Sequence, residues 1–67
     1  MTIQVNGKQI DLPQTVKHIS DLLHHYNLQS NQVIVELNQT IVDQKLHSDT
    51  RIQNGDQVEL VHFVGGG

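Results

Sequence analysis

The chain reads as an α+β domain, a mixed sheet of four to five strands with one helix packed on one face. Three observations predict it. Residues 2–12 alternate polar and apolar around an Asn-Gly pair, residues 16–26 carry one apolar helical stripe, and residues 58–64 form an apolar, β-branched run. Sixty-seven residues make a single domain. A chain this short buries only about 60% of its unfolded surface, so its stability margin is thin.

Thr2-Ile3-Gln4-Val5 and Lys8-Gln9-Ile10-Asp11-Leu12 flank Asn6-Gly7. Asn-Gly favours the type I′ turn, with φ > 0 at both positions, so the two runs form a hairpin with Ile3, Val5, Ile10 and Leu12 on one face. Pro13 has no amide hydrogen for a ladder and ends the second strand. Thr15 is the predicted N-cap of a helix over 16–26, and Val16, Ile19, Leu22, Leu23 and Tyr26 fall within an arc of roughly 120°. Asn27 suits the left-handed position after that helix, with Leu28 as the apolar residue of a Schellman stop.

Val33-Ile34-Val35-Glu36-Leu37 is apolar on both pleat faces for three residues, the pattern of an interior strand. Asn38-Gln39 turns the chain into Thr40-Ile41-Val42, a short strand that pairs back. Residues 43–50 are polar, with only Leu46 apolar. Asn54-Gly55-Asp56 is a tight turn that launches the last strand, in which Asp56 is a turn residue bonding the backbone and not an acid–base partner of Asp49 or Glu59. If the helix crosses the sheet, that strand can lie beside the first and run parallel to it.

Composition removes several function classes. Four basic residues stand against seven acidic ones, for a net charge of −3, and only Tyr26 and Phe63 are aromatic. Without a basic stripe or stacking platforms, nucleic-acid binding is not expected. There is no cysteine, hence no disulfide and no cysteine-based zinc site. Of the five histidines, His24 and His25 point about 100° apart on a helix and His18 lies two turns from His25, so no metal site is expected. No apolar run approaches the roughly 20 residues of a membrane span. With no signal peptide recognisable, a cytoplasmic protein without membrane contact is expected. No serine–histidine–aspartate order or phosphate-binding loop is present, and a catalytic pocket would consume most of so small a core.

The last strand has a telling asymmetry. Val58, Leu60, His62 and Val64 share one face; Glu59, Val61 and Phe63 share the other. Either the strand is central and fully covered, or Val61 and Phe63 form an exposed apolar patch. With one helix available for two sheet faces, the patch is the favoured reading. Val61, Phe63 and the neighbouring His62 are the expected partner-docking surface. A domain over residues 1–64 is then followed by a tail of three glycines, 65–67, with no side chains and no preferred backbone conformation. An α-carboxylate on Gly67 has a reference pKa of about 3.3–3.7, so it is ionised at neutral pH and is the expected functional group.

The Val5-Asn6-Gly7-Lys8 hairpin, the Asn54-Gly55-Asp56 turn before Val58, and the ending His62-Phe63-Val64-Gly65-Gly66-Gly67 closely resemble the sulfur carriers of thiamine biosynthesis, the ThiS family. These are ubiquitin-like β-grasp proteins, as is the small subunit of molybdopterin synthase. The resemblance implies a carrier cycle and no catalysis by the chain itself. A ubiquitin-activating-like adenylyltransferase would use ATP and magnesium to adenylate Gly67. Sulfur from a cysteine desulfurase route would convert it to a thiocarboxylate, and thiazole synthase would take that sulfur into the thiazole ring. Gly65 and Gly66 would thread the tail into partner clefts. The resemblance implies no permanently bound cofactor. A Gly-Gly end is common to sulfur carriers, so a molybdopterin synthase carrier and a ubiquitin-like modifier are the alternatives.

Overall fold

The computed structural model describes residues 1–62. Its elements are β1 (Thr2–Val5), β2 (Lys8–Asp11), α1 (Ile19–His25), β3 (Val33–Leu37), β4 (Thr40–Val42) and β5 (Gln57–His62), with single 3-10 turns at Ser30–Gln32 and Gln44–Leu46. They form one five-stranded mixed sheet in the order β2-β1-β5-β3-β4. β1 and β2 pair antiparallel, with Ile3 opposite Ile10. The Asn6-Gly7 turn has φ of 52° and 80°, the double positive φ that the dipeptide predicts. β5 runs parallel to β1, with Val5 opposite Val58, and antiparallel to β3. The interior position of β3 and the pairing back of β4 follow the sequence pattern.

The core lies between α1 and one sheet face. Ile19, Leu22 and Leu23 from α1 meet Ile3, Val35 and Val58 from the three central strands, and each of the six is at most 1% exposed. Burying a side chain of this kind contributes about 1.5–3 kcal/mol, so the helix–sheet contact dominates the stability of the domain.

The helix starts later than its periodicity predicts. Thr15 lies in a turn, and residues 16–18 are not helical. The Ile52 amide donates to the Lys17 carbonyl and the Ile19 amide to the Thr50 carbonyl, so the chain around His18 is held extended in a bridge to Arg51. Val16 is still buried, but from the loop. The N-cap is His18, and the Asp21 carboxylate accepts from the Lys17 and His18 amides at 3.1 and 3.0 Å. These two bonds, the Lys17 one foremost, hold the Asp21 carboxyl below its ordinary range.

A depressed folded pKa means that Asp21 stabilises the fold above its unfolded pKa, near 3.9, and that this stabilisation is lost as pH falls through the lower folded value. Asp21→Asn is therefore expected to be less stable than wild type at neutral pH, and the gap should close in strong acid. Urea denaturation at the two pH values measures it.

The other end of α1 follows the sequence. Asn27 sits at φ 58°, its amide donates to the His24 carbonyl, and the Leu28 amide donates to the Leu23 carbonyl at 2.8 Å. This is the Schellman pair of bonds. Tyr26 departs from the expected stripe. It is the C-cap residue, exposed, and meets the His25 ring edge-on. At φ −94° and ψ 7° it has left the helical register in which Leu22 and Leu23 are buried.

In residues 43–50 the one apolar residue, Leu46, is exposed, and His47 is buried in its stead. His47 Nε2 is 3.3 Å from the Val42 carbonyl and Nδ1 is 2.9 Å from the Ser30 hydroxyl. A carbonyl only accepts, so Nε2 carries the proton and, in the neutral ring, Nδ1 accepts from Ser30. The His47 carbonyl also takes the Ser20 amide at 2.9 Å, so one residue ties this segment to β4, to the turn before β3 and to α1.

Candidate functional site

β5 is the central strand and the one that carries the chain toward its final residues. Two turn asparagines clamp it. At its start, the Asn38 side chain accepts from the Gln57 amide at 2.9 Å and donates to the Asp56 carboxylate at 3.0 Å, while the Asn38 amide donates to the Gln57 carbonyl. Further along, Asn6 Oδ1 accepts from the Leu60 amide at 2.8 Å and Nδ2 donates to the Leu60 carbonyl at 3.3 Å. The parallel ladder with β1 ends where the Asn6 amide bonds the Val58 carbonyl. β1 then turns away, and the Asn6 side chain carries the bonding two residues further along β5, to Leu60. On its other edge β5 pairs with β3 as far as His62, opposite Val33.

The sequence identified Asn6 and Asn38 only as turn residues, because their second partners lie 54 and 18–19 residues away. Asn6→Ala removes both bonds to Leu60. A loss of about 1–3 kcal/mol is expected, together with faster hydrogen exchange of the Leu60 amide, and exchange measured residue by residue checks it.

The sheet face opposite α1 has no cover within the described residues. Ile34 is 44% exposed, Ile41 66% and Val61 52%. Ile34 pairs directly with Val61 across β3 and β5, and Ile41 pairs with Glu36 across β4 and β3. The two alternatives for the last strand therefore both contain a truth. β5 is central in the sheet, yet only its core face is covered. Of the expected docking residues, Val61 lies on the open face, whereas His62 is exposed on the opposite face. Phe63, Gly65, Gly66, Gly67 and the domain boundary after residue 64 fall outside the described residues. Ile34 and Ile41 were not named as surface residues, because the register that sets both on the face of Val61 is not legible in the sequence.

Among the described residues no group of three or more histidine, cysteine or acidic side chains is placed to hold a metal ion, and no helix is long and apolar enough to cross a membrane. Their one ion-pair contact is His18 Nδ1 to Asp21 Oδ2, at 3.4 Å.

A mixed five-stranded sheet with a central parallel pair and one covering helix is the ubiquitin-like β-grasp fold. The family model of the ThiS family matches residues 3–67. The chain is 38% identical over 65 residues to the sulfur carrier protein ThiS of Bacillus subtilis, covering 97% of this chain and 98% of that protein. The crystal structure of thiamine biosynthesis protein ThiS from Geobacter metallireducens superposes with a TM-score of 0.83 at 32% identity, over 100% of both chains. A thiazole synthase of Paramagnetospirillum magneticum is 30% identical over 67 residues, which is 100% of this chain and 20% of that protein. The chain belongs to the ThiS family.

Proposed function

We propose that the chain is a sulfur carrier of thiamine biosynthesis that works through the carboxylate of Gly67. The observation that carries this reading is the end-to-end similarity to a named sulfur carrier, with the family match running to Gly67. It is a carrier and not a catalyst. A thiazole synthase that itself contains a stretch similar to this whole chain supports thiazole synthase as the acceptor of the sulfur.

The chemistry requires two steps. A carboxylate oxygen of Gly67 attacks the α-phosphorus of ATP on an adenylyltransferase, where magnesium is held by that partner and pyrophosphate leaves. The resulting acyl-adenylate has AMP as a good leaving group, which splits one difficult substitution into two easier ones. In the second step a persulfide supplied by a cysteine desulfurase displaces AMP to form an acyl disulfide, and a thiol reductant cleaves its S–S bond, leaving a thiocarboxylate on Gly67 and a disulfide on the donor. The chain is cytoplasmic in this proposal. Glycines at 65 and 66 keep the chain ahead of the reacting carbon free of Cβ atoms.

The test is incubation with ATP, magnesium, the cognate adenylyltransferase and a sulfur source, followed by intact-protein mass spectrometry. One oxygen-for-sulfur exchange, consumed on adding thiazole synthase, supports the proposal. Isopeptide-linked products instead identify a modifier, and consumption only by the large subunit of molybdopterin synthase identifies the other carrier pathway. An unchanged mass overturns it.

A further inference from the structure

The open sheet face is not uniformly apolar. Glu36 and Glu59 pair directly across β3 and β5, flanked on the same face by the Ile34–Val61 pair and by Ile41, which sits opposite Glu36. Residues directly opposite in an antiparallel ladder have Cβ atoms about 4.5–5.5 Å apart, and like charges there destabilise the sheet. Among the described residues no lysine or arginine lies within ion-pair distance of either carboxylate. Two like charges thus stand without an ion-pair partner beside the exposed apolar residues of this face.

We infer that this face docks a protein partner that presents an arginine, its guanidinium seated on Glu36 and Glu59 with apolar neighbours on Ile34, Ile41 and Val61. The inference rests on the carrier reading and adds the chemistry of its partner. Arginine fits better than lysine, because its planar fork serves two carboxylates at once and its weakly hydrated head tolerates apolar surroundings.

Charge complementarity also rejects the other occupants. A second copy docked by two-fold symmetry would bring four carboxylates together. An anionic lipid surface or a phosphate backbone would meet the same repulsion. The repulsion within the free protein is relieved on docking, so the pair favours the bound state.

Purified thiazole synthase from the same organism is the probe, with binding followed by calorimetry over a range of salt concentrations. The double variant Glu36→Gln/Glu59→Gln is expected to bind at least about tenfold more weakly with a flatter salt dependence, and to melt about 1–5 °C higher as a free protein. Ile34→Ser/Val61→Ser is expected to weaken binding without flattening the salt dependence. Unchanged affinity and salt dependence in the glutamine variant overturn the inference, as does wild-type self-association through this face. If Gly67 becomes a thiocarboxylate yet wild-type chain binds no synthase, the inference alone fails. If no thiocarboxylate forms either, the carrier reading fails and takes the inference with it.

Discussion

On the proposed carrier cycle, Gly66→Val is expected to leave the fold of residues 1–62 unchanged and to lower adenylation of Gly67 by about 100-fold or more, the scale on which a misplacement near 1 Å at a reacting centre is felt. In that proposed cycle the carboxylate has to reach the α-phosphorus of ATP inside a partner's cleft. A β-branched side chain one residue before it widens the chain and confines φ and ψ to the regions open to L-residues. The core of the described residues is built from positions between Ile3 and Val58, and thermal unfolding of the variant is expected to match wild type. Gly66→Ala, with a single added carbon, should fall between the two. The measurement is the rate of pyrophosphate release with the cognate adenylyltransferase. A wild-type rate in Gly66→Val would mean that the cleft tolerates a branched side chain and that threading does not require a glycine at 66.

Leu22→Ala has the opposite signature, a damaged fold with an intact tail. Leu22 is fully buried in the centre of α1, against the sheet. Truncating a buried leucine costs about 2–5 kcal/mol through lost transfer energy and the cavity left behind. A core in a domain below 70–80 residues rarely supplies more than about 3–5 kcal/mol, so the variant should be largely unfolded. Val61→Ala is the control. Val61 is half-exposed on the open face, and its loss should change stability by no more than about 0.5 kcal/mol. Circular dichroism with urea titration distinguishes the two, and a Leu22→Ala variant as stable as wild type would contradict the placement of α1 over β1, β5 and β3.

Much of this molecule was legible in its residues because the relevant physics is local. Asn6-Gly7 adopts positive φ at both turn positions, as two residues with little or no left-handed penalty should. Asn27 and Leu28 stop the helix with two backbone bonds that depend only on the preceding turn. Alternation in residues 2–5 sets which face is buried, and the apolar excess of the last strand pointed to an exposed patch, of which Val61 is found open to solvent.

Two local patterns were overruled by distant partners. The periodicity of residues 16–26 is that of a helix throughout, yet Lys17 and Ile19 find better partners in Ile52 and Thr50, more than thirty residues on. Leu46 is the one apolar residue of 43–50, yet it is exposed, and the ring of His47, with two hydrogen-bond partners, takes the interior position.

From its sequence alone the chain determined its turns, its strand faces, the helix stop and the family to which its ending belongs, since each depends on residues within a few positions of one another. Only the tertiary structure decided where α1 begins, that Asn6 and Asn38 clamp β5, and that Glu36 and Glu59 meet on a face shared with Ile34 and Val61. Those facts depend on register between strands far apart in the chain. Pairing of that kind is chosen by the whole packed sheet, and no local pattern encodes it.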